Sequence, residues 1–155
     1  MAESHDTNAD REVQALAYME AWNLGLTSEI GPPIHAAMGI RIESLLPRCV
    51  VALEGNEMLR GMPEGSIHGG LLATLVDVAC AISVWESFDS AIEHPATTDL
   101  HVRYFRQPKQ WPVRCEVEVA HDGRRMLSTT AVVRDALDNT IATGSASFAL
   151  IKRKW

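Results

Sequence analysis

The chain has 155 residues with 14 basic and 20 acidic side chains, a net charge of −6, and is 46% hydrophobic and 22% charged. That length suits one domain with a single core. The negative balance speaks against a nucleic-acid binder, which presents a basic face. Cys49, Cys80 and Cys115 are odd in number and widely spaced. They give neither a disulfide framework nor a zinc-ligand pattern, and are read as reduced thiols of a cytoplasmic core.

The opening residues, Met1 to Ala9, are polar and acidic, without the basic and apolar regions of a secretory signal. No apolar run is long enough to cross a bilayer. From about Asp10 to Leu24 the composition favours a helix that stops at Gly25, with Val13, Leu16 and Ala17 as its apolar stripe. Pro32-Pro33 breaks the chain, and Ile34 to Met38 can form a short helical turn. The N-terminal 39 residues are thus expected to be a helical extension to a domain spanning 40–155.

Ile40 to Glu43 alternates and Cys49 to Leu53 is β-rich, with Pro47-Arg48 marking a hairpin between them. Gly55 to Gly65 reads as loop. A long helix is expected from about Gly69 to Ser87, apolar around nearly all its circumference and therefore enveloped. Period-two patterns follow. Leu100, Val102 and Tyr104 share one face, and Val113, Cys115, Val117 and Val119 another. His121-Asp122-Gly123-Arg124 marks a turn into a strand from Met126 to Arg134, and Asp138-Asn139 marks a hairpin into a last strand, Thr140 to Ile151. The expected topology is two strands, an enveloped helix, then four strands in antiparallel succession. The class is α+β, a sheet of about six strands wrapped around one long helix.

Asp77 is the only formally charged side chain between Glu64 and Glu86. A carboxylate in so apolar a helix is costly to bury without a use or a partner. His68-Gly69-Gly70 opens the same helix, and a helix start can hold an oxyanion. Gly69 and Asp77 are separated by eight residues, about 12 Å along a straight helix. One carbonyl cannot touch both, so the pair makes a site only if a second subunit supplies one half, as a twofold dimer does.

His68-Gly69-Gly70, Asp77 and the run Thr97 to Arg106, together with Gly123-Arg124 and the closing Ala142 to Phe148 strand, resemble the hotdog-fold acyl-CoA thioesterases. The pattern is similar to their phenylacetate-pathway branch, within the 4-hydroxybenzoyl-CoA thioesterase superfamily, and extends over about Ile40 to Ile151. The resemblance implies a homodimer or dimer of dimers acting on an acyl-CoA without cofactor or metal. It implies that the Gly69 N–H polarises the thioester carbonyl and that Asp77 of the facing subunit is nucleophile or general base. His68 would hold the loop and Thr97 would orient water, while Gly70 and Thr98 would border the substrate. Met62 stands where this branch commonly carries Asn.

Coenzyme A is anionic, and Arg103, Arg106, Arg124 and Arg125 could tether it. Each of these also fits a solvated strand face or hairpin. Trp85, Phe88 and Trp111 could line an acyl pocket or be plain core. A non-catalytic acyl-CoA-binding protein is the alternative function. A hydratase would want an Asp and His pair that the spacing does not show.

Overall fold

The computed structural model describes residues 8–24, 33–59, 61 and 66–154. Helix α1 (Asn8–Asn23) and the short α2 (Pro33–Met38) precede strands β1 (Ile40–Ser44) and β2 (Cys49–Leu53). A single 3-10 turn (Glu57–Leu59) leads to α3 (Gly69–Ser83), and then come β3 (Glu93–Tyr104), β4 (Val113–Asp122), β5 (Met126–Arg134) and β6 (Thr140–Lys152). The six strands form one antiparallel sheet around α3, the hotdog arrangement.

The strand order is β1-β2-β4-β5-β6-β3. This corrects the expected succession, because β3 pairs with β6 and not with β4. The chain after β3 leaves the β6 side, with the Phe105 and Arg106 N–H groups donating to the Ile141 carbonyl, and enters β4 beside β2. Strand neighbours are a long-range choice that local alternation does not encode. The consequence for function is that β3 is an edge strand.

β5 and β6 follow the period-two expectation, and β4 follows it as far as Val117; Val119, expected on the same face, is 39% exposed, next to a register shift between Val119 and His121. Val113, Cys115 and Val117 on β4, Leu127, Thr129, Ala131 and Val133 on β5, and Ala146 and Phe148 on β6 are buried. They meet Leu72, Leu75, Val76, Ala79 and Cys80 of α3, burials that stabilise by about 1.5–3 kcal/mol for each larger side chain. Gly144 permits the tightest approach. A Cβ there would lie 2.6 Å from Val76 Cγ1, so only glycine lets α3 sit this close to β6. All three cysteines are free and buried. Burial pushes the Cys49 thiol up to about 12 and Cys80 up to about 11, which makes both inert as nucleophiles.

Three expectations fail locally. α3 ends at Ser83 and not near Ser87, because Val84 leaves helical geometry and the following N–H groups of Trp85 and Ser87 bond three residues back, to Ile82 and Val84. α3 is also not enveloped on all sides. Gly69 and Gly70 are exposed, while Ala73, Thr74, Asp77 and Ala81 are half-exposed. Finally, α1 does not bury the Val13 and Leu16 stripe, which is 66% and 54% exposed; Ala15 and Trp22 are its buried residues. Asn23 anchors the end of α1 to β1, its side-chain amide donating to the Ile42 carbonyl and accepting from the Ile42 N–H, both at 2.8 Å. No helix among the described residues is long and apolar enough to cross a membrane.

Candidate active site

The start of α3 is built by His68. Its backbone is extended (φ −66°, ψ 128°), and its Nδ1 accepts the Gly70 N–H at 3.0 Å. Its carbonyl takes the N–H groups of Leu71 and Leu72. The His68 N–H itself bonds to the Leu59 carbonyl at 3.0 Å, so of the four N–H groups open at the helix start those of His68, Gly70 and Leu71 are satisfied. The remaining donor is Gly69, whose N–H has no acceptor among the described residues. The expected oxyanion donor is therefore the one N–H left unused. The Gly70 N–H and the His68 Nδ1 are taken up by the bond between them.

Tyr104, near the end of β3, donates its hydroxyl to the Gly69 carbonyl at 2.9 Å. Two turns along α3, Asp77 Oδ1 accepts a 2.8 Å hydrogen bond from Thr97 Oγ1. Both contacts run between β3 and α3, yet Thr97 and Tyr104 are seven residues apart and would point to opposite faces of a regular strand. A register shift between Thr97 and Asp99 resolves this. The bulge absorbs Thr98, whose hydroxyl donates to the Ser147 carbonyl at 3.1 Å, and turns Thr97 onto the helix side. Thr98 therefore shapes the strand.

Beside Asp77 and Thr97 lies a cavity of about 700 Å³. Tyr18 and Trp22 of α1 form one wall, and Trp85 and Phe88 from the turns after α3 form another. Tyr18 and Trp85 meet with ring centroids 5.7 Å apart. Burial pushes the Tyr18 hydroxyl up to about 12, so it stays neutral. Trp85 and Phe88 thus both stand on the cavity wall. Trp111 does not, because it covers Gly55, where a Cβ would meet its ring at 2.7–2.9 Å. His35 of α2 and Arg153, after β6, also line the cavity. Neither was anticipated, since nothing in the local pattern after Pro32-Pro33 or at the C-terminus marks them.

The four arginines do not gather in one chain. Arg124 and Arg125 lie in the β4–β5 turn, where the Arg125 carbonyl accepts from Leu150, the residue paired with Pro95. That is the Asp77 and Thr97 end of the sheet. Arg103 sits beside Tyr104 at the Gly69 end, with Arg106 just beyond it. Within one subunit the four candidate arginines thus fall at two ends of the sheet. The position of Met62 falls outside the described residues. Of the residues that could compensate there, Glu64 also falls outside the described residues, Asn56 Nδ2 donates to the Met38 carbonyl at 3.1 Å, and Ser66 is buried. Among the described residues no group of three His, Cys, Asp or Glu side chains could hold a metal ion.

A family model described as the Thioesterase superfamily matches residues 64–142, half of the chain, including α3 and β3. The chain belongs to the Thioesterase superfamily. A relative from Halobacterium salinarum, named as an esterase candidate, is 30% identical over 99 residues, which make up 59% of this chain and 65% of that protein. The match thus spans just under two thirds of the relative's length. Among solved superfamily-like folds, a conserved protein of Pseudomonas aeruginosa is 29% identical, with a TM-score of 0.72 over 80% of this chain and 98% of that one. A Bacillus halodurans protein solved with CoA is 20% identical, with a TM-score of 0.70 over 94% of this chain and 93% of that one.

Proposed function

We propose that this protein hydrolyses an acyl-CoA thioester to a free acid and CoA, in the manner of the phenylacetate-pathway branch that its motifs resemble. The observation that carries the reading is the Asp77–Thr97 pair on the wall of an aromatic cavity of about 700 Å³, a volume that suits a small-molecule site. Superfamily membership supports thioester chemistry, and the CoA in the Bacillus halodurans structure is consistent with this fold accepting that carrier.

The active unit in this reading is a dimer. β3 is an exposed edge, with Leu100 38% and Tyr104 50% exposed, and a long unpaired edge calls for a partner. Antiparallel pairing of β3 with a second β3, about an axis near Leu100 and His101, sets Thr97 opposite the partner subunit's Tyr104. Because Thr97 overlies Asp77 and Tyr104 overlies Gly69, the same operation brings Asp77 beside the partner subunit's Gly69. It also brings Arg124 and Arg125 toward the partner subunit's Arg103 and Arg106, reuniting the divided arginines around an anionic CoA.

As general base, Asp77 takes a proton from water while the oxygen adds to the thioester carbonyl carbon. The Gly69 N–H and the dipole of α3 hold the resulting oxyanion. The C–S bond then breaks and the thiolate of CoA receives the proton. As nucleophile, Asp77 would form an anhydride that water opens. A thioester lacks amide resonance, so either route needs no Ser-His-Asp triad.

Release of CoA, followed with a thiol reagent across a panel of acyl-CoAs, tests the reading. Wild-type turnover should fall by about three orders of magnitude in Asp77→Asn. Tight acyl-CoA binding without release would instead establish the binding-protein alternative. Mixed dimers of Asp77→Asn and Gly69→Pro subunits should regain activity through one intact composite site, and mixtures that stay inactive would refute the shared site.

A further inference from the structure

We infer that Gln107 is a positioning residue for the Gly69 oxyanion donor, its side-chain oxygen holding the loop that delivers that donor. The inference rests on the hydrolase reading and adds to it a residue just beyond the run Thr97 to Arg106.

An oxyanion donor acts by being aimed before charge develops, so the His68–Gly69 peptide must be fixed in orientation. Most of the turn leading into α3 is held by backbone alone. The Gly61 N–H donates to the Ser66 carbonyl at 2.7 Å, and the His68 N–H donates to the Leu59 carbonyl at 3.0 Å. Ile67 is different. Its backbone N–H donates to Gln107 Oε1 at 2.8 Å, across 40 positions of sequence. Ile67 is buried, so removing that acceptor would strand a backbone donor. Only the oxygen of an amide side chain accepts from an N–H, so the bond also fixes which way the Gln107 amide faces.

Gln107 stands on a braced segment. Before it, the Phe105 and Arg106 N–H groups bond to the Ile141 carbonyl. After it, the Lys109 N–H donates to Asp135 Oδ2 at 3.0 Å, and the Gln110 carbonyl accepts from the Ala136 N–H at 3.1 Å. Earlier in the same segment, Tyr104 donates its hydroxyl to the Gly69 carbonyl. The two side chains therefore reach the helix start on either side of the His68–Gly69 peptide: Gln107 at the Ile67 N–H before it, Tyr104 at the Gly69 carbonyl after it. A peptide gripped on both sides from one braced segment is restrained from rotating. A plain loop anchor would stabilise the fold without bearing on the donor, and that difference can be measured.

The test compares Gln107→Leu, which removes the acceptor, with Gln107→Glu, which keeps an acceptor oxygen on a side chain of the same length. On an acyl-CoA that the wild type hydrolyses, Gln107→Leu should lower kcat about tenfold and leave KM within about twofold. In the Gly69→Pro background, where the donor is gone, the same substitution should cost almost nothing further. Amide hydrogen exchange followed by NMR gives a readout independent of turnover. The Gly70 and Leu71 N–H groups, bonded to His68 Nδ1 and to its carbonyl, should exchange about tenfold faster in Gln107→Leu. They should stay near the wild-type rate in Gln107→Glu, with Val76 in the middle of α3 unchanged in both. Melting temperatures verify folding, and Gln107→Met replaces Gln107→Leu should the latter not fold. Equal losses with and without Gly69→Pro, or helix-start exchange that Gln107→Leu leaves unchanged, would overturn the positioning role and leave the hydrolase reading standing. Faster exchange in Gln107→Leu with no acyl-CoA hydrolysed by the wild type would sustain the hold on the Gly69 loop and sink the hydrolase.

Discussion

Thr97 donates a 2.8 Å hydrogen bond to Asp77 Oδ1 within a single chain, so the hydroxyl and the carboxylate belong to the same half of the site. The bond fixes one carboxylate oxygen and leaves the other to face a substrate or water. Thr97→Val removes the donor while preserving the branched shape. A hydrogen bond to a charged group contributes about 1.5–3 kcal/mol, so kcat should fall about tenfold or more, with KM nearly constant if the bond serves orientation only. A rise in KM with unchanged kcat would show that Thr97 contacts substrate instead.

Gly69 allows its N–H to be removed without breaking the helix. It is the first residue of α3, where proline is tolerated, and His68 before it already has the extended backbone that a following proline demands. A Cβ at Gly69 meets nothing nearer than Tyr104 at 3.8 Å within the chain. Gly69→Pro should therefore fold and lose about a hundredfold or more in kcat, the scale of a lost oxyanion donor. Gly69→Ala keeps the N–H and should lose markedly less. Equal losses in the two variants would show that the position matters for space and not for its donor.

What local sequence encodes, and what it does not, divides along physical lines. β4, β5 and β6 each press one face on α3, and their alternation states this directly. β3 carries the same alternation in letters, but as an edge strand it is mostly exposed, and its place beyond β6 depends on pairing with residues far along the chain, from Tyr104 with Ala142 to Glu93 with Lys152. The bulge that turns Thr97 toward Asp77 leaves no signature in residue types. Asp77 was conspicuous because charge in an apolar helix is visible in any sequence. Thr97 came into view only through family resemblance, its bond to Asp77 was not anticipated, and Tyr104 over Gly69, though it lay in the same motif, carried no distinguishing mark. His35 was hidden most completely, since nothing in its local pattern marks a residue that will reach the cavity wall.

Asp135 offers a pH-dependent reading of the β5–β6 hairpin. Burial by itself would raise this carboxyl, but hydrogen bonds from the Lys109, Leu137 and Asn139 N–H groups and the Asn139 side chain overcome that and hold it at about 2. A carboxyl depressed on folding stabilises the protein above its unfolded value, near 3.9, and that contribution is lost as pH falls toward 2. The wild type should exceed Asp135→Asn in urea midpoint at neutral pH, and the gap should narrow between about pH 4 and pH 2. A gap independent of pH would mean that the carboxylate's charge plays no part.

Gly144 links packing to the reacting groups. Its missing side chain lets Val76, the residue before Asp77, approach β6, and a Cβ would meet Val76 Cγ1 at 2.6 Å and the His101 carbonyl at 3.1 Å. Gly144→Ala must push α3 away from the sheet, at about 1–3 kcal/mol for overpacking, and the displacement acts on the Asp77–Thr97 contact. The urea midpoint and kcat should therefore fall together. Val76→Ala removes the nearer obstruction, so the double variant should be more stable than the two single losses would sum to. Strict additivity would locate the strain at the His101 carbonyl, in which case β3, not α3, gives way.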